Sequence, residues 1–330
     1  MNTGTMTAAR LQPRLEYLPI GLFGSVMGLT GLSIAWQLAH ARYGMPAWPA
    51  AMIGWFAIVD FIALVLGYGV KLATAPSVAL AEFRHPIAGN LFGTVFISLL
   101  LLPIILAPMS LLLARIIWGV GAIGMVSFAW MIVSRWMSDR QQIAHATPAW
   151  IIPVVGMLDL PLAVPTLGLS SMHGVMVLGM VVGLFFAVPL FTLIFSRLLF
   201  EPPMPDALKP SLLILLAPFS VGYSTYGVTT GQHDVFAESL YLLTLFMLAV
   251  LLGQMRYLLQ CCPFRVSWWG VSFPLASAAI AALRFAAVEP GWITDTIAIA
   301  LLALASVTIG GLLIRTVSGL ARGELRTLSS

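Results

Sequence analysis

Few residues in this chain are placed to do chemistry, and they do not converge. His40, His85, His145, His173 and His233 show neither HExxH spacing nor a repeated cluster, so no resident metal or other cofactor is expected. Cys261 and Cys262 are adjacent, which gives neither a CxxC motif nor a disulfide framework. The run GQHD at 231–234 supplies one histidine and one acid, too few ligands for a metal. No GxxxxGKS or GxxxxGKT phosphate loop occurs, and no motif proposes a catalytic triad. An enzyme is therefore not expected. What remains are single residues in apolar surroundings. Asp159 stands inside AWIIPVVGMLDLPLAVPTLGL. Ionised and facing a passage, it would repel anions; protonated after desolvation, it could exchange a proton and act as a pH-sensitive site. A packing hydrogen bond is the plainer alternative. Asp60, inside AMIGWFAIVDFIALVLGYG, reads as the partner of a residue on a neighbouring helix. Phe273 and Pro274, side by side in WWGVSFPLASAAIAALRF, set a bulky ring next to a helix breaker among the small residues Ser272, Ala276 and Ser277.

The scaffold that must position these residues is set by composition. Of the 330 residues, 60% are hydrophobic and only 8% charged, against roughly 25% charged in an ordinary soluble domain. Mean hydropathy is +1.00. Too little charge is present to cover a soluble surface, so lipid is the solvent for much of the chain. No basic cluster suggests nucleic acid. Ten apolar runs are long enough to span a bilayer: 17–39, 49–70, 87–107, 111–134, 149–169, 175–200, 210–226, 239–259, 268–287 and 293–315. The first reads as a retained span. Residues 1–16 and 316–330 are then polar tails around a ten-helix domain at 17–315. With both termini cytoplasmic, all of the 16 basic residues except Arg42, Arg115 and Arg284 fall on the inner side. An odd number of spans would scramble that alternation. A β-barrel is excluded, because its strands would show short runs of alternating polarity.

The odd-numbered spans share a feature. Pro19 lies in the first, Pro103 in the third, Pro153 in the fifth, Pro218 in the seventh and Pro274 in the ninth. Proline removes a backbone donor and bends a helix. In lipid the freed groups must face protein or water. Five bent helices alternating with five straighter ones suggest five helical hairpins, the bent set inside around a narrow passage. Gly21, Gly24, Gly28 and Gly31 in LPIGLFGSVMGLTG also permit close helix packing. The residues alone leave Phe273 between ordinary packing and obstruction of that passage.

The chain resembles the tellurite-resistance/dicarboxylate transporter family, which includes bacterial TehA-type channels and plant slow-type anion channels. The resemblance runs over about 15–315 and is carried by LPIGLFGSVMGLTGLSIAW at 18–36, EFRHP at 82–86, APFSVGY at 217–223 and WWGVSFPLASAAIAA at 268–282. It implies an all-α membrane protein of five tandem hairpins around a quasi-fivefold central pore, assembled as a homotrimer. It also implies passive anion movement through a pore plugged by a phenylalanine, a position matched by Phe273. The bend near Pro274 would then aim Phe273 into the passage, with Ser272, Ala276 and Ser277 leaving room around it. Chloride or nitrate are the expected anions, in a bacterial inner membrane. Asp159 departs from the neutral residues the resemblance implies there. It keeps a second reading open, a proton-linked transporter of malate or another small organic acid. The odd spans carry no basic side chain at their centres, so anion selection is expected from backbone N–H groups of the broken helices.

Overall fold

Proline spacing decides which apolar runs become continuous helices. The computed structural model describes residues 14–261 and 264–324. The expectations placed on Arg10, Cys262 and Arg326, and on the side chains of Arg14, Arg256 and Cys261, lie outside the described residues. The helices are α1 (Gly24–Tyr43), α2 (Trp48–Thr74), α3 (Pro76–Arg84), α4 (Gly93–Leu106), α5 (Leu111–Ser138), α6 (Ile152–Val155), α7 (His173–Phe200), α8 (Ala217–Thr230), α9 (Val235–Cys261), α10 (Ser272–Val288) and α11 (Trp292–Ala321). Counted with their 3₁₀ extensions, 9 helical stretches among the described residues are long and apolar enough to cross a membrane. The protein is an integral membrane protein of all-α class.

The expected fifth span is not one helix. A 3₁₀ turn over Pro148–Ile151 leads into α6, a second 3₁₀ turn follows at Gly156–Asp159, and residues 160–167 continue as turns. Pro148, Pro153, Pro161 and Pro165 lie in it, each without an N–H to give to an α-helical ladder. Its backbone is satisfied locally instead: the Val164 N–H donates to the Pro161 carbonyl at 3.1 Å and the Leu167 N–H to the Ala163 carbonyl at 3.0 Å. Such backbone survives at membrane depth only when protein covers it, and this segment is almost wholly buried. Between α4 and α5, by contrast, only APMS intervenes. There the Ser110 hydroxyl accepts the Leu113 N–H at 3.3 Å and starts the next helix.

The described spans fall into two groups by burial. The stretch Ile20–Tyr43 is 83% buried, whereas the neighbouring Trp48–Thr74 is 22% buried. The same contrast separates α4, α8 and α10 from α5, α7, α9 and α11. Each exposed helix packs on the buried segment before it in the chain. Large apolar side chains such as Trp130, Phe185, Phe246 and Val307 cover the exposed helices, as expected where lipid replaces water. The buried segments touch one another in cyclic order: α1 on α4, α4 on the fifth segment, the fifth segment on α8, α8 on α10, and α10 back on α1.

Small residues set the closest of these contacts. Along α1, Gly24 faces Trp269, Gly28 faces Ser272 and Gly31 faces Ala276 and the Phe273 ring, so α1 and α10 run parallel. A Cβ on Gly28 would overlap Ser272, which is why only glycine fits. The Ser272 hydroxyl donates to the Gly24 carbonyl at 3.2 Å across the same contact. Polar residues tie exposed helices to buried ones. The Ser25 hydroxyl on α1 donates to Asp60 Oδ2 on α2 at 2.5 Å, the inter-helix pair expected of Asp60. Glu82, on α3, gathers the Lys71 ammonium at 2.7 Å, the Tyr68 hydroxyl at 3.0 Å and the Ile20 N–H at 2.7 Å. Lys71 also donates to the Leu18 carbonyl at 2.7 Å. This network fixes the start of the first span against α2 and α3. Hydropathy did not reveal α3, because its nine residues are too short and mixed to register as a span.

Candidate functional site

The five buried segments begin alike. A 3₁₀ stretch leads into α-helix at Ile20–Phe23 before α1, Ala88–Phe92 before α4, Pro148–Ile151 before α6, Asp206–Leu216 before α8 and Val266–Val271 before α10. The amide at each junction is already used. Gly24, Gly93, Ile152, Ala217 and Ser272 donate to carbonyls two or three residues back. The sequence-based expectation that broken helices leave N–H groups for an anion therefore does not apply at these junctions, since 3₁₀ bonding continues where α-helical bonding stops.

The early parts of all five segments enclose a cavity of about 370 Å³, lined among others by Gly24, Leu91, Asp159, Ile214 and Phe273. A second, much smaller cavity of about 20 Å³ is lined by Gly31, Leu101, Leu162, Ser224, Phe273 and Arg284. Phe273 and Val221 line both. Phe273 is buried at 7% exposure, and its ring edge would lie 3.4 Å from a Cβ at Gly31. The ring thus stands at the boundary of two cavities, with the bare Gly31 backbone making room for it.

The other residues singled out by sequence take different places. Pro274 lies in the first turn of α10 and lines the larger cavity. There its missing N–H breaks no established ladder, so the discontinuity is the 3₁₀-to-α junction just before it rather than a kink inside the helix. Ser272 and Ala276 turn toward α1 instead of flanking the ring in open space. Ser277 lines the smaller cavity, 2.7 Å from the Ser220 hydroxyl. Pro19 caps the first 3₁₀ stretch and lines the larger cavity. Pro153 and Pro218 occupy first-turn positions of α6 and α8. Pro103 alone of these sits inside a helix, buried in α4. Asp159 is buried at 2% exposure, lines the larger cavity, and its Oδ1 has no hydrogen-bond partner among the described residues. Among the described residues no three His, Cys, Asp or Glu side chains group as metal ligands.

Arg284 was missed. Sequence reading counted it with Arg42 and Arg115 on the side opposite the termini, on charge alternation. In the fold it points into the smaller cavity beside Phe273, with its Nε enclosed and unpartnered among the described residues. Its distance from Phe273, three α-helical turns along the same face, was the available signal.

Buried segments in cyclic contact around an internal cavity, wrapped by lipid-facing helices, define a polytopic membrane protein with an internal compartment. The chain belongs to the SLAC1 family, described as voltage-dependent anion channel, whose family model matches residues 17–317. It is 26% identical over 313 residues to the S-type anion channel SLAH3 of Arabidopsis thaliana, covering 92% of this chain and 49% of that protein. It is 24% identical over 306 residues to the guard cell S-type anion channel SLAC1 of Arabidopsis thaliana, covering 88% of this chain and 53% of that protein. With the tellurite resistance protein TehA homolog of Haemophilus influenzae it shares 26% identity over 314 residues, 93% of this chain and 92% of that protein. The chain thus spans about half the length of the plant relatives. Family membership bears out the resemblance read from the sequence and the expectation of a non-enzymatic protein.

Proposed function

We propose that the protein is a passive, anion-selective channel for small anions such as chloride or nitrate, held closed by the ring of Phe273. The observation that carries this reading is the position of Phe273 between the 370 Å³ and 20 Å³ cavities. In this reading ten crossings, the broken fifth segment included, form five tandem hairpins around a quasi-fivefold pore. The larger cavity admits ions with part of their hydration shell. The ring then blocks by volume and by repelling water from an apolar constriction. The larger cavity is mostly apolar, which favours ions that shed water cheaply and does not trap them. The placement of basic residues supports cytoplasmic termini and an inner-membrane location, and the homotrimer with one pore per subunit is what the family resemblance implies. The test is anion flux from liposomes containing purified wild-type protein or Phe273→Ala. The variant is expected to pass chloride and nitrate far faster than the wild type. A cation-dominated current, or no gain in flux with correctly assembled protein, would contradict the proposal.

One observation favours a second reading. Asp159 places a carboxyl oxygen, unpartnered among the described residues, in the wall of the larger cavity, where a proton-linked carrier of malate or another small organic acid would need one. Under that reading uptake saturates and tracks a proton gradient, and Asp159→Asn uncouples it. Passive flux indifferent to the gradient rejects it.

A further inference from the structure

The basic residues assigned to the side opposite the termini have different fates. Arg42 is paired with Asp295 at 2.7 Å. Arg115 donates from Nε to the Leu167 carbonyl at 2.9 Å. Arg284 has no hydrogen bond or ion pair among the described residues, and its Nε is fully enclosed. Of the acids on that side, Asp295 is engaged by Arg42 and Tyr43 and Asp234 by Tyr226, while Glu238 and Glu289 are exposed and line neither cavity. A guanidinium removed from water without an acceptor is strongly unfavourable, and proteins retain such a charge where something of opposite sign meets it. The Ser224 hydroxyl, in the wall of the same small cavity, is likewise buried without a partner among the described residues. A charged donor and a neutral donor thus converge on a compartment with no carboxylate in its lining.

We infer that Arg284 and Ser224 form a binding site for a single small monovalent anion, immediately beyond the ring of Phe273. The inference rests on the channel reading and specifies its selective step. The compartment of about 20 Å³ has room for roughly one water-sized particle. An ion there has shed its shell and is held by the guanidinium and the serine hydroxyl in place of water. Chloride fits this chemistry. A dicarboxylate does not fit this compartment while the ring stands in place. Arginine suits the site because it stays charged at any relevant pH and offers several donors from one planar group. Selectivity then comes from one fixed cation on α10, in place of the backbone amides that the 3₁₀ junctions have consumed.

Two measurements separate this site from the channel as a whole. The first is binding: the unfolding temperature of the purified wild-type protein is followed as sodium chloride replaces sodium gluconate at constant ionic strength. The site predicts stabilisation by chloride that Arg284→Gln abolishes and Arg284→Lys largely keeps. The second is conduction in the Phe273→Ala background. There Arg284→Gln is expected to weaken the apparent chloride affinity of the current by about tenfold, ~1.4 kcal/mol, and to move the reversal potential toward that of an unselective pore. Chloride stabilisation and anion selectivity both unchanged in Arg284→Gln overturn the inference. Absence of current in Phe273→Ala, with chloride stabilisation still dependent on Arg284, refutes the channel reading and leaves the anion site standing.

Discussion

Replacing Gly28 with alanine tests the packing on which the position of Phe273 depends. The added Cβ would overlap both Oγ and Cβ of Ser272, with the Ser272 backbone carbon 3.5 Å away. No rotamer removes this clash, because Cβ of Ser272 is fixed by its backbone and the residue is fully buried. The helices must separate, and overpacking of this kind costs about 1–3 kcal/mol. Ser272→Gly makes room but gives up the hydroxyl's bonds to the Gly24 and Trp269 carbonyls, at 3.2 and 2.7 Å, worth about 1 kcal/mol each at most. The two changes share one contact, so they are not additive. The double variant should be more stable than the sum of the singles predicts, by roughly 1 kcal/mol or more. Apparent unfolding temperatures in one detergent at one scan rate read the cycle. Because Ser272 precedes Phe273, Gly28→Ala should also raise basal anion flux, and the double variant should lower it again. Additive effects on stability, or a harmless Gly28→Ala, would refute the α1–α10 contact.

Further outcomes follow from the polar network and from one surface cap. Glu82→Gln leaves the Lys71 ammonium without its carboxylate, and breaking a buried pair from one side costs about 3–5 kcal/mol. Lys71→Met combined with Glu82→Gln should therefore be more stable than Glu82→Gln alone, as thermal unfolding would report. Asp234 caps α9, accepting the Phe236 and Ala237 N–H groups at 3.0 and 3.1 Å. The Tyr226 hydroxyl, followed by these amides, holds its carboxyl below the usual range. A depressed folded pKa means the stabilisation is present above the unfolded pKa and lost as pH falls through the folded one. Asp234→Asn should thus unfold at a lower temperature than wild type at neutral pH, with the gap closing in acid; a gap independent of pH would contradict the ionic cap.

Much of this arrangement is legible in the sequence, for identifiable reasons. Unbroken apolar runs mark α2, α5, α7, α9 and α11 because lipid-facing helices need nothing else. The proline and glycine content of the intervening spans marks them as the protein-covered set, since backbone freed by proline cannot face lipid. Hydropathy is blind to helix type, so the sequence shows bends at Pro19, Pro103, Pro153, Pro218 and Pro274 but not the 3₁₀ starts of the five buried segments. It also merged the turns after Asp159 with a helix, because four prolines do not lower the apolar average. The α11 helix runs on to Ala321, past the expected end at 315, since Arg315 flanks a helix as readily as it ends one. Arg284 was hidden by the charge rule itself. That rule assigns an arginine near a span's end to water, and only the cyclic contact of α10 with α1 and α8 shows that this face looks inward.

The claim on which the account depends is that the Phe273 ring bars passage between the two cavities. Ser277 lines the smaller one, so a cysteine there reports access past the ring. In a chain with Cys261 and Cys262 replaced by serine, Ser277→Cys would be exposed to 2-sulfonatoethyl methanethiosulfonate from the side of the larger cavity. Modification is predicted to be slow with Phe273 in place and faster by more than an order of magnitude with Phe273→Ala. Equal rates in the two backgrounds would show that the ring bars nothing, and would contradict the account.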